Sequence, residues 1–256
     1  MLLLLPPSET KRDGGDSGAL DLSTLRFPEL RAQRRASIAA LRRLSRSVGE
    51  STRALGLGPT QRFEIERNRV FTTASTMPAM DRFTGVVYEA LDAPSLPEES
   101  RAWLARTVVI QSALLGPIGA ADLVPAYRLS ADSRLPGLPL KKHWADSTSA
   151  VLARHPGPIL DLRSEGYAAL GPVPARPDAR YLRVVTEAAG GQQNGHQGGH
   201  RRALNHFNKK GKGEFVRELA LAGIDHASID ALLDWARGRG IRLENSPNPA
   251  ELDLVV

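Results

Sequence analysis

Short apolar runs alternate along the chain with stretches whose apolar residues recur at helical spacing. Each apolar run is bounded by proline, glycine or charge, a pattern typical of β-strands. Runs that are apolar at consecutive positions favour strands covered on both faces. The predicted strands are Met1–Leu5, Thr107–Leu114, Pro158–Leu162, Tyr181–Thr186 and Glu251–Val256.

The segments between these strands carry the helical pattern. In Glu29–Val48, leucine, isoleucine and valine fall along one side and arginines mainly along the others, as in an amphipathic helix. Strands and helices alternate irregularly, which predicts an α/β (α+β-like) fold: a single compact domain over residues 1–256 with a mixed β-sheet and surrounding helices. The other predicted helices are Met80–Leu91, Pro97–Arg106, Leu140–Arg154, Gly213–Ala222 and Ser228–Gly238.

Composition excludes several classes of protein. The apolar fraction of 41% in 256 residues is enough for a sizeable core. Because there is no cysteine, disulfides, zinc–thiolate sites, iron–sulfur clusters and cysteine nucleophiles are excluded. The opening MLLLLPP predicts a buried strand rather than a signal peptide, and no segment approaches the ~20 apolar residues of a membrane span. We therefore expect a cytoplasmic protein without a membrane partner.

The sequence also lacks the motifs of several common ligand-binding and catalytic sites. The nucleotide-binding patterns GxxxxGK[ST] and GxGxxG are absent, as are the HExxH metal motif and the GxSxG nucleophile motif. We therefore expect neither a cofactor nor a bound metal. Residues 190–200 (GGQQNGHQGGH) have no apolar side chain and predict a flexible, solvated loop, so the spacing of His196 and His200 does not indicate a metal site.

The net charge of +6 favours an anionic partner such as duplex DNA or another phosphate-bearing ligand. A positive net charge can also serve only to keep a protein soluble. The segment Ala54–Gln61 (ALGLGPTQ) is typical of the hairpin in a helix–hairpin–helix element, where glycines let backbone N–H groups approach phosphates. The same segment can also be an ordinary helix that ends at a glycine, followed by a helix with proline at its start. The predicted nucleic-acid-binding residues are Gly56, Gly58, Thr60 and Arg62.

Polar side chains also follow the predicted strands, at the strand ends where open α/β sheets bind ligands. Two of these segments also have an interpretation without a ligand. Ser8–Lys11 can be a capped turn whose charges are solvated, and Arg128 can form an interior ion pair with Asp122. A cationic segment, Arg201–Arg217, adds further candidates near the C-terminus. The predicted ligand- or anion-binding residues are Ser8, Lys11, Tyr127, Arg128, Arg163, Ser164, Tyr167, Asn208, Lys209 and Lys212. If the protein is an enzyme, the candidate catalytic residues are Glu9, Asp161 and His206.

Several of these segments, taken in order, resemble the YaaA peroxide-stress protein family, a conserved family also described as uncharacterised. The similar segments include LLLLPPSETK, FTGVVYEAL, PAYRL, LDLRS and HFNK. The resemblance implies a mixed-sheet α/β domain with a helix–hairpin–helix element and a positively charged cleft. It also implies a DNA-binding protein that limits oxidative DNA damage by lowering available iron.

The chain departs from the family pattern before the Tyr-Arg motif. Gly119–Asp122 keeps the aspartate of the usual Arg-Pro-x-Asp segment but lacks its arginine and proline, and Ala131 lies near a usual methionine. Two functions therefore remain: a DNA-binding protein of the peroxide stress response, or a specialised paralogue that is an enzyme for a small anionic or nucleobase-like substrate. Direct iron binding is weakly supported, because no carboxylate–histidine spacing stands out.

Overall fold

In a computed structural model, the backbone is described for residues 1–186 and 197–256, and the side chains for residues 1–186 and 207–256. A seven-stranded mixed sheet in the order β4-β3-β1-β6-β7-β9-β8 forms the centre of the described fold. A separate two-stranded antiparallel pair joins β2 to β5. The strands are β1 (Leu2–Leu5), β2 (Met77–Pro78), β3 (Val108–Ser112), β4 (Gly116–Gly119), β5 (Leu123–Val124), β6 (Ile159–Asp161), β7 (Ala179–Val185), β8 (Leu243–Asn245) and β9 (Glu251–Val255).

Strand β1 lies in the middle of the sheet because its four leucines can be buried on both faces. Leu3 and Leu5 belong to the main hydrophobic core, whereas Leu2 and Leu4 point to a second cluster on the other face. β1 pairs in parallel with both β3 and β6, and β6, β7 and β9 continue in parallel. The two edge strands, β4 and β8, are antiparallel. The predicted mixed sheet is confirmed.

The helices agree with the predicted ones at most places. Along α1, Ile38, Leu41 and Leu44 are buried and hold the helix on the core. The helices are α1 (Arg31–Leu44), α2 (Val48–Leu55), α3 (Phe63–Arg69), α4 (Ala79–Arg82), α5 (Val86–Leu91), α6 (Glu98–Thr107), α7 (Leu140–Ala153), α8 (Glu165–Ala168), α9 (Gln197–Ala222) and α10 (Ile229–Gly238).

Three segments differ from the predictions. The predicted helix Met80–Leu91 is divided into α4 and α5, because Gly85 has φ +90°, which is outside the helical region. The predicted helix Gly213–Ala222 is the end of the longer α9. Of the predicted loop at residues 190–200, residues 190–196 lie outside the described residues, and residues 197–200 form the start of α9.

The segment predicted to be a helix–hairpin–helix lies between α2 and α3. Gly56 ends α2 with a left-handed backbone (φ +62°), and a short 3-10 turn, Pro59–Gln61, leads to α3. The backbone N–H of Gly58 donates to Oε1 of Gln61 at 2.9 Å. Two helices and a glycine turn are therefore present, while the phosphate-binding hairpin itself stays a prediction.

Candidate functional site

A cleft of about 810 Å³ lies where β1 and β6 end, beside β7 and beneath α9. Parallel pairing of β1 with β6 brings the segments that follow both strands to one edge of the sheet. Of the predicted residues, Ser8, Glu9, Ser164, Tyr167, Asn208, Lys209 and Lys212 line this cleft. The structure thus brings together three segments that are far apart in the sequence.

Other lining residues were not predicted. Thr84 lies just before α5, Tyr88 lies on α5, Glu165 begins α8, and Tyr181 lies on β7. Thr84 and Tyr88 belong to the FTGVVYEAL segment, which was noticed only as a family resemblance. Tyr181 was placed in a predicted strand, but its direction depends on the pairing of Asp161 with Tyr181 across β6 and β7.

Arg128 lies behind the cleft wall and holds Glu9. The Arg128 guanidinium is buried and its NH2 group contacts the Glu9 carboxylate, whose side chain is 53% exposed. The alternative pairing of Arg128 with Asp122 is wrong, because the Asp122 carboxylate accepts the backbone N–H groups of Arg26 and Gly119, each at 2.9 Å. Arg128 therefore positions a carboxylate at the cleft instead of lining the cleft itself.

Lys11 and Tyr127 are buried together beneath the segment that follows β1. The Lys11 Nζ lies 4.1 Å from the centroid of the Tyr127 ring and donates hydrogen bonds to the carbonyls of Ser8 (3.0 Å) and Glu9 (3.3 Å). The Tyr127 hydroxyl is 2.6 Å from Oγ of Ser112. Neither side chain lines the cleft, and both support the backbone that presents Ser8 and Glu9.

Burial lowers the pKa of Lys11 from 10.5 to about 7. Because the folded-state pKa is below the unfolded value, the unfolded chain binds more protons between these limits, so stability rises with pH there. We expect the urea midpoint of the wild-type protein to increase between about pH 7.5 and 9.5, and to increase less in Lys11→Met. Equal slopes for the two proteins would contradict burial of a neutral Lys11.

Asp161 and Arg163 form an internal pair. The Asp161 carboxylate accepts Arg163 Nε at 2.8 Å and NH2 at 2.6 Å, and Arg163 is fully buried. The remaining guanidinium nitrogen, NH1, donates to Gln111 at 3.2 Å. Neither residue lines the cleft. The pair therefore stabilises the end of β6 and does not face a ligand. His206 is on α9, but its side chain lies outside the described residues, so its predicted catalytic role stays a prediction.

Helix α9 presents its lysines to the cleft because it packs closely on α5. A Cβ at Gly213 would lie 2.3 Å from the Val87 carbonyl oxygen, so only glycine allows this approach. Lys212, the residue before it, donates from Nζ to the Leu162 carbonyl at 2.9 Å and lies 5.4 Å from the Tyr181 ring centroid. Burial lowers the pKa of Lys212 from 10.5 to about 8.

The charge of the cleft is mixed. Two lysines, Lys209 and Lys212, face two glutamates, Glu9 and Glu165, so the charged lining residues balance formally. The positively charged cleft implied by the family resemblance is therefore not evident in this lining.

Arginines concentrate on a different surface, formed by α1 and α3. A groove of about 480 Å³ is lined by Arg42, Arg43, Arg46 and Arg69, and shares no residue with the cleft. Arg69 is paired with Glu66 at 3.1 Å. The side chains of Arg42, Arg43 and Arg46 have no ion-pair or hydrogen-bond partner among the described residues and are exposed. We call these four residues the arginine groove.

The hairpin segment adjoins further basic side chains. A smaller pocket of about 180 Å³ contains Gly56 together with Arg53, Arg134 and Asp132. The backbone N–H of Arg134 donates to the Ala54 carbonyl at 3.0 Å, so the chain after Tyr127–Arg128 packs on the end of α2. Thr60 and Arg62, also predicted to bind nucleic acid, are exposed between α2 and α3.

The described part of the chain offers neither a membrane span nor a metal site. Within residues 1–186 and 197–256, no helix is long and apolar enough to cross a membrane. Among the side chains of residues 1–186 and 207–256, no group of three or more histidines, aspartates or glutamates is arranged to hold a metal ion.

Comparison with known sequences gives matches that extend over the whole chain. The sequence model of a family described as "Peroxide stress protein YaaA" matches residues 1–244. A UPF0246 protein of Corynebacterium glutamicum is 40% identical over 262 residues and one of Streptomyces coelicolor is 35% identical over 270 residues. These alignments cover all of this chain and 100% and 98% of the two relatives. The chain therefore belongs to the YaaA family of peroxide stress proteins, which includes these UPF0246 relatives.

Proposed function

We propose that this chain is a cytoplasmic DNA-binding protein of the peroxide stress response, and that the arginine groove is its DNA-contacting surface. The observation that carries the proposal is the presence of Arg42, Arg43 and Arg46 in one groove without a described acidic partner. Exposed, unpaired guanidinium groups bind phosphate oxygens and release counterions from DNA.

The helical geometry supports this assignment. Arg42 and Arg43 lie in the last turn of α1, and Arg46 lies in the turn just after the helix ends, so the end of α1 places all three at one groove. Gly56, Gly58, Thr60 and Arg62 follow in the α2–α3 connection, where the predicted hairpin would contact the same backbone. Contacts of this kind grip the phosphate backbone without reading base sequence.

Reversing charge in the arginine groove is expected to weaken DNA binding. In Arg42→Glu/Arg46→Glu, we expect affinity for a duplex to fall about 10–100-fold and the salt dependence, d log K/d log[salt], to lose about 2 units of slope. Fluorescence anisotropy of a labelled duplex over a salt series measures both quantities.

The matched control is Lys141→Glu/Lys142→Glu on α7, which changes the net charge equally at two exposed positions. We expect this control to weaken binding by less than about threefold, through long-range charge alone. If both double variants weaken binding equally, or if wild-type affinity does not depend on salt, the arginine groove is not a DNA-binding surface.

The second candidate function is that of an enzyme for a small anionic or nucleobase-like substrate. The observation that favours it is the cleft, where hydroxyl, carboxylate, ammonium and aromatic groups from five segments meet. Its candidate acid–base residue at the cleft is Glu9, which lines the cleft and is exposed although Arg128 pairs with it, whereas Asp161 is buried against Arg163 and does not line the cleft.

A further inference from the structure

We propose that the cleft at the ends of β1 and β6 binds a nucleoside monophosphate, with its base between tyrosine rings and its phosphate at Lys209 and Lys212. This site goes beyond the DNA-binding proposal, because it shares no residue with the arginine groove. Its volume of about 810 Å³ is within the range that encloses small molecules, about 300–1,000 Å³.

The aromatic walls are fixed before any ligand binds. The Tyr88 hydroxyl donates to the Pro6 carbonyl at 2.7 Å, and the Tyr181 hydroxyl donates to the Arg163 carbonyl at 2.8 Å. Because both hydroxyls are held by backbone, the rings keep their orientation and offer apolar surface to the cleft. Tyr167 adds a third ring, and burial raises its pKa to about 12, so it stays neutral. Rings held in place lose little conformational entropy when a flat heterocycle stacks on them.

The phosphate end is formed by α9. Lys209 and Lys212 are three residues apart on this helix and face the cleft from the same side. The Lys212 ammonium uses one N–H group for the Leu162 carbonyl, which leaves two for a ligand. Lys209 is exposed and has no ion-pair partner among the described residues. Two ammonium groups that face the cleft from one helix match a phosphate dianion.

Hydroxyl groups add neutral donors to the same cleft. The Thr84 hydroxyl donates to the Thr10 hydroxyl at 2.9 Å, and the Ser8 and Thr10 hydroxyls are 3.1 Å apart. The three oxygens form a connected row along the lining. Such a row suits the ribose hydroxyls or phosphate oxygens of a nucleotide, each of which can donate or accept in turn.

The carboxylates select the base. Glu9 and Glu165 face the cleft with acceptor oxygens, and Glu9 is held in place by Arg128. Carboxylates accept hydrogen bonds from the N–H groups of bases, as they do from the amino group of cytosine. A simple dicarboxylate or polyphosphate would be repelled by these two charges, whereas a monophosphate with an N–H-bearing base can pair with both the lysines and the carboxylates.

The test is isothermal titration calorimetry of the full chain with AMP, GMP, CMP and UMP, the four nucleosides and inorganic phosphate. We expect at least one monophosphate to bind with a Kd below about 100 μM, and its nucleoside and inorganic phosphate to bind at least about tenfold more weakly. If no monophosphate binds in this range, or if inorganic phosphate binds equally well, the proposal is wrong.

Matched variants locate the site. Lys212→Met and Glu9→Gln should each weaken the bound monophosphate at least about tenfold. Lys210→Met, on the same helix but paired with Glu214 outside the cleft, and Arg42→Glu/Arg46→Glu should leave it within about twofold. Unchanged affinity in both cleft variants, with their thermal unfolding intact, would overturn the site. Loss in the arginine variant alone would assign the nucleotide to the arginine groove and also overturn it.

Discussion

Asp161→Asn is expected to lower the free energy of unfolding by about 3–5 kcal/mol, because it leaves the buried Arg163 guanidinium without its counter-charge. Arg163 has 0% exposure and the Asp161 carboxylate contacts both its Nε and its NH2 group. The same carboxylate accepts the backbone N–H of Arg163 at 3.0 Å. An amide keeps the shape of the side chain but cannot accept from both guanidinium nitrogens or neutralise the charge.

The chain offers a control with the same geometry in a more exposed place. Arg176 donates from Nε and NH2 to both carboxylate oxygens of Asp178, which is also two residues away, but the Asp178 side chain is 36% exposed. Solvent compensates a lost partner there, so Asp178→Asn should cost about 0–1 kcal/mol. Urea unfolding monitored by circular dichroism gives both free energies.

Replacing the whole pair separates lost charge balance from lost volume. In Asp161→Leu/Arg163→Met, no unpaired charge remains, so we expect most of the stability lost in Asp161→Asn to return. If Asp161→Asn costs no more than Asp178→Asn, the Asp161–Arg163 pair is exposed to solvent. The reason for excluding Asp161 as an acid–base residue would then no longer hold.

The central strands could be predicted well because the signal for them, a short run of apolar residues, lies within each strand. A run such as Leu2–Leu5 can only be buried on both faces, and that requires the middle of a sheet. The edge strands β4 and β8 were missed because their sequences, GPIG and LEN, lack that signal. They are strands only because a neighbour pairs with them: β4 follows β3 through Gly116, whose φ of +67° lets the chain turn against Trp144.

The site was predicted in part for the same reason. Polar residues at strand ends are visible in the sequence, so Ser8, Ser164 and Tyr167 were among the candidates, and all three line the cleft; their binding of a ligand stays a prediction. Whether a polar residue at a strand end faces the cleft or another side chain depends on tertiary packing. Arg163 therefore proved to be internal, although its position in the sequence resembles that of Ser164.

The arginine groove, in contrast, was not predicted from the sequence although its residues are exposed. Arg42, Arg43 and Arg46 belong to the predicted amphipathic helix Glu29–Val48, and charge on the outer sides of such a helix is ordinary, so the sequence does not indicate a groove there. Their significance comes from α3, which places Arg69 at the same groove, and from the lack of acidic partners in the described residues.

Gly213→Ala is expected to destabilise the fold by about 1–3 kcal/mol, because α9 and α5 are in contact at this residue. The added Cβ would lie 2.3 Å from the Val87 carbonyl oxygen and 2.7 Å from the Ala90 Cβ. Both atoms belong to a helix and cannot move without moving α5. The usual gain of about 1 kcal/mol for alanine over glycine in a helix therefore does not appear.

Gly211→Ala is the matched control, two residues earlier on the same helix and equally buried. Its Cβ would meet only side-chain atoms, with Val256 Cγ1 at 3.1 Å and Val184 Cγ1 at 3.5 Å, which can shift slightly. We expect this variant to be neutral or up to about 1 kcal/mol more stable than the wild type, since its helix propensity improves. Thermal and urea unfolding of both variants measure the difference.

The Gly213→Ala variant also tests how the cleft depends on helix packing. Lys212 is adjacent to the contact and Lys209 is one turn before it, so a displacement of α9 from α5 moves both ammonium groups. Nucleotide affinity, if present in the wild type, should fall in Gly213→Ala and persist in Gly211→Ala. Equal stability of the two variants would mean that α9 does not approach α5 as closely as the Gly213 contact requires, and the lysines would then lie farther from the cleft.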